Sequence, residues 1–402
     1  MVKLVKVVID SSKCVDCGFC NSVIECANPT NCVGCLSCYW GCPYSARKII
    51  HIESTRTVKI KVNNVEYEVP DGITVAKALE IIGLPLNPPG FKNPSLACST
   101  GGCWACAVII DGKFRRSCIT PVHNGQEISL NIEHYTPLRI VHGPSPHIVG
   151  GKATPWWEID YLHYVEAAIW LAGCDLRCPQ CQNFSVTYDG RSKALTPAEA
   201  AKKVVMCHKE YGTRGIAVSG GEPTLNRNWL IEFFKEVTRR VNSKVRRHLD
   251  SNGTLLTSDY IDELVKAGCN NIGVEPKCVN IETYMKITGL KNRDLARKYL
   301  ETSWKAIEYL NEKYSGRVYI GVGLVYNKDL ITLDEIAKAG EKIASINPNL
   351  QVTVLDYFPV FRRRSLSRPS PLEMIKVKKI LEDVGLKTVI VQTSIGHIGP
   401  SK

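Results

Sequence analysis

The run Cys174-Asp175-Leu176-Arg177-Cys178-Pro179-Gln180-Cys181 places three thiols at C-x3-C-x2-C spacing. Thiolates so spaced can hold three corners of a [4Fe–4S] cube. No fourth cysteine follows in register, so one iron is left open to a ligand that is not protein. Downstream, Ser219-Gly220-Gly221-Glu222-Pro223-Thr224 closes an apolar run with a glycine pair and an acid. The plain alternative for the three thiols is a zinc or redox loop.

The chain has 18 cysteines in 402 residues. Such a number forms either a disulfide framework, which needs an exported and usually small chain, or metal sites. Met1-Val2-Lys3-Leu4-Val5-Lys6 holds no apolar signal core, and no apolar run reaches transmembrane length. A soluble, cytoplasmic protein is therefore expected, without a membrane partner, in a reducing compartment where clustered thiols bind metal.

Cys14, Cys17 and Cys20 stand at C-x2-C-x2-C spacing with Cys26 beyond, and Cys32, Cys35, Cys38 and Cys42-Pro43 follow at C-x2-C-x2-C-x3-C-P. This resembles the bacterial two-cluster ferredoxins, in which the fourth cysteine of each run serves the other cluster. The resemblance implies one cube on Cys14, Cys17, Cys20 and Cys42 and a second on Cys32, Cys35, Cys38 and Cys26. The first run departs from the pattern, since five residues separate Cys20 from Cys26. Zinc is the alternative, disfavoured by eight interleaved cysteines with no histidine among them.

Cys98, Cys103 and Cys106 at C-x4-C-x2-C, with Cys118 after them, have the spacing of a plant-type [2Fe–2S] site. Gly101 and Gly102 suit a loop whose backbone must wrap a cluster and offer N–H groups to its sulfurs. Val58–Val62 and Val65–Val69 alternate about an Asn63-Asn64 turn, and Ala107–Ile110 with Lys113–Cys118 alternate about Asp111-Gly112. With a short helical pattern over Thr74–Ile82, the segment resembles β-grasp ferredoxins. A rubredoxin-like or zinc site on the same four cysteines is the alternative.

The formal charge of +12 counts every cysteine as neutral. Two four-thiolate cubes, one four-thiolate [2Fe–2S] site and one three-thiolate cube, at about −2, −2, −2 and −1, bring the loaded protein to about +5. That argues against nucleic acid as a partner.

Pro137, Gly143, Pro144, Pro146, Gly150, Gly151 and Pro155 give residues 137–160 the composition of a linker. Beyond it, β-rich runs at Val165–Leu171, Gly215–Val218, Val245–Leu249, Asn271–Val274, Val318–Val325 and Gln351–Leu355 alternate with helical patterns. Thr196-Pro197-Ala198-Glu199, Thr332-Leu333-Asp334-Glu335 and Ser370-Pro371-Leu372-Glu373 each read as a capping box. Repeated β–α units imply parallel strands with helices outside, and Lys387–Gln392 reads as one further strand. The chemistry-bearing runs then fall at strand C-terminal ends: Cys174, Gly220-Gly221-Glu222, Asp250-Ser251-Asn252-Gly253, Glu275-Pro276-Lys277 and Asp356-Tyr357-Phe358-Pro359.

With the cysteine triplet and Gly220-Gly221-Glu222-Pro223, these runs resemble the radical S-adenosylmethionine (SAM) superfamily. Cys181-Gln182-Asn183, Asp250-Ser251-Asn252-Gly253, Glu275-x-Lys277 and Thr288-Gly289 look like its pyruvate formate-lyase activating-enzyme branch. The resemblance implies a multidomain α/β protein whose partial (β/α)6 barrel, residues 161–402, follows a two-[4Fe–4S] module at 1–53 and a [2Fe–2S] β-grasp module at 54–136. It implies SAM as a cofactor beside three [4Fe–4S] clusters and one [2Fe–2S] cluster, and catalysis on Cys174, Cys178 and Cys181. Gly221 and Glu222 would contact the methionine amine, Lys277 the charged end of SAM, and Asp250 would stabilise the site or hold a cation. Gln180, Gly220, Asn252 and Glu275 complete the expected SAM surroundings. Gln180 replaces the family's usual aromatic residue, Glu275 its aspartate, and Phe358 a histidine.

The implied activity is reductive cleavage of SAM to a 5′-deoxyadenosyl radical that abstracts hydrogen from a protein or small-molecule substrate. The N-terminal clusters would pass electrons from an external low-potential donor. An enzyme of cofactor maturation, or an electron-transfer protein with a vestigial barrel, are the competing readings. Arg362-Arg363-Arg364 with Arg368 reads either as a solvated loop or as a clamp for an acidic substrate. Cys207 and Cys269 read as packing residues, and Cys278 either packs or lines the active site. His208, His248 and His397 have no ligand-spaced partners and are assigned no role.

Overall fold

In the second half of the chain, apolar runs alternating with amphipathic helices build one open, curved sheet in this computed structural model, which describes residues 2–400. Strands Glu166–Leu171, Gly215–Gly220, Arg246–Ser251, Asn271–Lys277, Tyr319–Tyr326 and Gln351–Asp356 run parallel in chain order. Thr388–Thr393 adds the further parallel strand expected there, and Gly396–Ile398 turns back against it. Every residue of Asn271–Lys277 is buried, as a strand covered on both faces requires. The result is a partial (β/α)6 barrel with antiparallel strands added at both edges.

The helices begin where capping chemistry places them. Thr196 and Ser370 each complete a reciprocal capping box with proline in the first turn. The third box is only half formed. Thr332 Oγ1 accepts from the Glu335 N–H, but the Glu335 carboxylate turns away to Asn280 N–H and Thr283 Oγ1. Those partners begin the helix Ile281–Thr288, which the sequence patterns did not reveal.

Residues 137–160 are not a linker. Arg139–His147 is a strand lying antiparallel to Glu166–Leu171. Beyond its first two residues no strand among the described residues pairs with its other side, and its own pairing slips between His142 and Ser145. An edge strand with a bulge accommodates Pro144 and Pro146, because few of its N–H groups are needed. Composition suggested a linker for the same reason that the chain can use it as an edge. Residues 150–154 then pass over the concave face of the sheet. A Cβ at Gly321 would lie 2.1 Å from the Lys152 carbonyl oxygen, and one at Gly323 2.6 Å from the Lys152 side chain.

The N-terminal modules follow the expected patterns more closely. Val2–Ile9 pairs antiparallel with Arg47–Ser54 and closes the cysteine-rich loops between them. The next module is a five-stranded mixed sheet in which Thr57–Val62 lies parallel to Gln126–Ser129, with the helix Val75–Ile81 packed against it. Both expected hairpins form, and Asn63 (φ 47°), Asn64 (φ 70°), Asp111 (φ 49°) and Gly112 (φ 72°) supply the left-handed residues of such two-residue turns. Among the described residues, no helix is long and apolar enough to cross a membrane.

Arg116 fastens the two modules to the barrel. Its guanidinium pairs with Glu25 and donates to the carbonyls of Gly101 (3.1 Å) and Gly190 (2.8 Å). Arg362 donates to the carbonyls of Cys42 (2.9 Å), Tyr39 (2.6 Å) and Trp40 (2.8 Å). Arg364 lies 3.9 Å from the centroid of the Tyr44 ring. Arg362 and Arg364 thus join the barrel to the first module, while Arg363 stays within the barrel on Gln180 and the Lys286 carbonyl and Arg368 pairs with Asp356. A chain shortened to begin at Pro155 is therefore expected to be insoluble or unfolded, having lost an edge strand and the segment across the barrel. Expression with sedimentation and circular dichroism checks this, and a soluble, cooperatively melting fragment would contradict it.

Candidate functional site

One cavity of about 140 Å³ opens at the C-terminal ends of the barrel strands. Cys174, Cys178 and Cys181 line it together with Gln180, Gly220, Gly221, Asp250, Asn252, Glu275 and Lys277. The cysteine loop is anchored on both flanks. Arg177 N–H donates to the Thr288 carbonyl (2.9 Å), which gives the Thr288-Gly289 pair its place, and Asn183 Nδ2 donates to the Gly220 carbonyl (3.0 Å). Leu176 N–H approaches Cys174 Sγ at 3.4 Å. Gln180 does not stack as an aromatic residue could. Its amide is held between the Ile287 carbonyl (2.7 Å) and the Arg363 guanidinium (2.9 Å).

Glu222 departs from the expectation. Its side chain is 0% exposed and turns away from the cavity. Its carboxylate accepts from Thr224 N–H (2.9 Å), Thr224 Oγ1 (2.6 Å), Ser251 Oγ (2.8 Å) and Asn252 N–H (2.7 Å). A buried carboxylate needs such donors, and here they tie the second strand end to the third. Asn252 in turn donates to Asp175 Oδ1 (3.2 Å), beside Cys174. Glu222 thus positions the loop, while the neighbouring glycines present backbone to the cavity. Arg139 closes the same turn from behind, donating to the carbonyls of Glu222 (2.6 Å) and Ala172 (3.0 Å).

Three further residues, assigned no individual role there by the sequence patterns, join the site. Lys152 reaches it from the segment that crosses the barrel, its Nζ 3.2 Å from Glu275 and 3.7 Å from Asp250. Tyr357 lines the cavity in place of Phe358, and its hydroxyl accepts from Lys277 Nζ at 3.3 Å. His248 lies beneath, with Nδ1 3.0 Å from Glu166 and Nε2 3.1 Å from Asp250. A signal for His248 was present, because it stands two residues before Asp250 on one strand and shares its face. Lys152 carried none, sitting among glycines and prolines. Cys278 is buried with its thiol on the Asn280 carbonyl and does not line the cavity. Cys207 and Cys269 are packed in the core.

The charges in this interior are matched in pairs. Burial opposes ionisation of Lys277, but the Glu275 carboxylate holds its pKa well above the usual lysine range. Burial likewise opposes the Asp250 carboxylate, which Lys152 and His248 nevertheless hold well below the usual range. For His248 burial alone would lower the pKa, and Glu166 and Asp250 outweigh it, lifting the imidazole to about 9.

Twelve further thiols lie in the two N-terminal modules. Cys14, Cys17, Cys20 and Cys42 surround one cavity of about 220 Å³. Cys26 and Cys38 are neighbours of Cys32 and Cys35 in an environment where burial pushes both thiols up, Cys38 to about 12. The free thiols of Cys98 and Cys103 lie against each other, as do those of Cys106 and Cys118, all four buried together. Backbone N–H groups point at several sulfurs, from Val7 to Cys32 (3.3 Å), Ala46 to Cys42 (3.3 Å) and Thr100 to Cys98 (3.4 Å). Among the described residues, no three His, Cys, Asp or Glu side chains close on a point as ligands of a single ion would. Clustered thiols, the second module's four all buried, with N–H groups aimed at sulfur fit iron–sulfur cores, whose cationic iron makes thiolates stable there.

Residues 169–339 match the radical SAM superfamily, and residues 55–132 match the 2Fe-2S iron-sulfur cluster binding domain. The chain thus holds a radical SAM domain in its barrel and a [2Fe–2S] ferredoxin domain ahead of it. It is 29% identical to the probable GTP 3′,8-cyclase of Thermoplasma volcanium over 44% of this chain and 50% of that protein. It is 27% identical to the GTP 3′,8-cyclase of Petrotoga mobilis over 57% of this chain and 65% of that protein. A protein of Methanocaldococcus jannaschii described as a glycyl-radical enzyme activating enzyme is 29% identical over 30% of this chain and 46% of its own length. The chain spans about half the length of the first of these relatives.

The His248 pairing makes folding stability depend on pH. A folded-state pKa of about 9 against an ordinary 6.5 means that the folded protein holds a proton the unfolded chain releases. The contribution, on the order of 3 kcal/mol, is complete below pH 6.5 and is lost as pH rises through 9. Thermal melts from pH 6 to 10 are expected to show this decline, and the His248→Gln variant should lack that component. Parallel profiles for the two proteins would contradict it.

Proposed function

We propose that this protein cleaves SAM reductively on a cluster held by Cys174, Cys178 and Cys181 and abstracts hydrogen from a substrate, in the manner of a glycyl-radical-enzyme activating enzyme. The observation that carries this reading is the convergence of the three thiols, the Gly220–Gly221 backbone and the Asp250, Asn252, Glu275 and Lys277 side chains on one cavity. The chemistry that such a cluster and SAM supply when bound is one-electron cleavage to methionine and a 5′-deoxyadenosyl radical, which takes hydrogen from the substrate. Within that pocket the Gly220–Gly221 backbone would receive the methionine moiety. Lys277, kept cationic by Glu275, would hold its carboxylate. The covered floor of the barrel would exclude water from the radical.

Twelve other cysteines are assigned by the same reasoning: cubes on Cys14, Cys17, Cys20 and Cys42 and on Cys26, Cys32, Cys35 and Cys38, and a [2Fe–2S] site on Cys98, Cys103, Cys106 and Cys118. Their role as an electron supply is supported by contact. Arg177 donates to the Cys98 carbonyl (2.7 Å), a Cβ on Gly173 would meet the Cys103 Cβ at 2.9 Å, and Cys35 packs against Cys106 and Cys118. Arg362 N–H reaches the Pro179 carbonyl (2.9 Å) while its guanidinium holds Cys42. An external low-potential donor would deliver the electron to this assembly. A second reading, a small-molecule substrate, is favoured by the GTP 3′,8-cyclase relatives. A vestigial barrel serving only electron transfer is disfavoured by the complete lining of the cavity.

The test is anaerobic reconstitution followed by SAM cleavage with dithionite, read as 5′-deoxyadenosine. The loaded protein should hold about fourteen irons, the content of three cubes and one rhombic cluster. Replacing Cys174, Cys178 and Cys181 by alanine should abolish cleavage while the electron paramagnetic resonance signals of the other clusters persist. Near-stoichiometric zinc with few irons, or cleavage by the triple variant, would overturn the reading. Glycyl-radical formation in a supplied partner enzyme, against turnover of GTP, separates the two substrate classes.

A further inference from the structure

The segment that crosses the barrel is built to deliver one ammonium group. Gly151 N–H donates to Glu166 Oε2 (3.2 Å), Lys152 N–H to Asp250 Oδ1 (3.1 Å), and Thr154 Oγ1 to Glu166 Oε1 (2.7 Å). Gln351 Nε2 donates to the carbonyls of both Lys152 and Thr154 at 2.8 Å, and Asn271 Nδ2 to that of Ala153 at 2.7 Å. Gly273, Gly321 and Gly323 leave the space this backbone and the Lys152 side chain occupy. So held, Lys152 Nζ lies between Asp250 and Glu275 on the wall of the cavity.

Asp250 and Glu275 each have a second cationic partner, His248 and Lys277 respectively. Glu166, paired with His248, completes a set of three acids and three bases. Without Lys152, two buried carboxylates on a water-reachable wall would be one cation short. Such a pair draws in a small cation, because an unmatched buried charge is costly.

We propose that the Lys152 ammonium is a tethered counter-cation for the Asp250–Glu275 pair, filling the place a free sodium or potassium ion would take. It makes the pocket's electrostatics independent of dissolved monovalent cations. Lys152 is on this account a positioning residue. Resting on the SAM reading, it keeps both acids in place on the wall that the ligand would meet.

The test compares full-length reconstituted protein in potassium, sodium and choline chloride at equal ionic strength. Two quantities are read: the melting temperature without SAM, and the dissociation constant for SAM by equilibrium dialysis. Wild type should show the same values in all three salts. Lys152→Met should melt several degrees higher in potassium or sodium than in choline, and should bind SAM at least tenfold more weakly in choline. Potassium, sodium or added ethylammonium should recover part of that loss, and Lys152→Arg should retain affinity. A wild type that needs potassium or sodium for either quantity overturns the proposal, and this arm stands even if Lys152→Met does not fold. So does a Lys152→Met protein indifferent to salt in melting and unchanged in SAM affinity. Failure of wild type to bind SAM in any salt would count against the SAM reading, while the melting temperatures would still decide whether Lys152 replaces a dissolved cation.

Discussion

A charge enclosed by a parallel sheet must find its partner within the protein, and this constraint organises the catalytic half of the chain. The interior holds Glu166, Glu222, Asp250 and Glu275, each of which would be costly without donors or cations. Glu222 is satisfied by four hydrogen bonds from the turn after its own strand and from the next strand end. The other three are satisfied by His248, Lys152 and Lys277. Meeting that requirement is what brings the strand ends into register around the cysteine loop. Glu222 fixes Asn252, Asn252 holds Asp175, and Asp175 stands next to Cys174.

The same logic explains how the modules meet. Their contacts are guanidinium groups on backbone carbonyls: Arg116 on Gly101 and Gly190, Arg177 on Cys98, Arg362 on Tyr39, Trp40 and Cys42. Short iron–sulfur loops expose many carbonyls that no helix or strand uses. Arginine, with several donors in a planar fork, satisfies them in groups. Aromatic rings continue the seam, Phe19 of the first module lying 5.4 Å from Phe184, which stacks in turn on Phe361 at 5.0 Å between ring centroids. The ferredoxin-like half is thereby packed against the barrel. Thiols from separate modules come close without any cysteine being shared.

Much of the candidate site was legible in the sequence because it depends on local spacing. Cysteines within a few residues of one another can only form a small loop. The Gly220-Gly221 pair and the acids after each β-rich run must sit at strand ends once those runs are parallel. Hence Cys174, Cys178, Cys181, Asp250, Asn252, Glu275 and Lys277 all line the cavity. The hairpins were legible for a similar reason, since Asn63-Asn64 and Asp111-Gly112 tolerate the left-handed backbone such turns require. The helix Ile281–Thr288 was missed because it is short and follows directly on a buried strand.

What only the tertiary structure decided is the fate of groups whose partners are distant in the chain. Proline and glycine in residues 137–160 read as a linker, yet the segment is an edge strand and the inner layer of the barrel, because the sheet supplied glycines to receive it. Glu222 looked like a ligand contact and became a brace, because Ser251 and Asn252 offered donors on its far side. Arg362 and Arg364 after the sixth strand looked like part of a loop or a clamp and became a seam, because carbonyls of Tyr39, Trp40 and Cys42 lie opposite the first and the Tyr44 ring opposite the second. Ligand spacing is a property of a short peptide and can be read from it. The pairing of buried charges is settled only when strands far apart in sequence pack side by side.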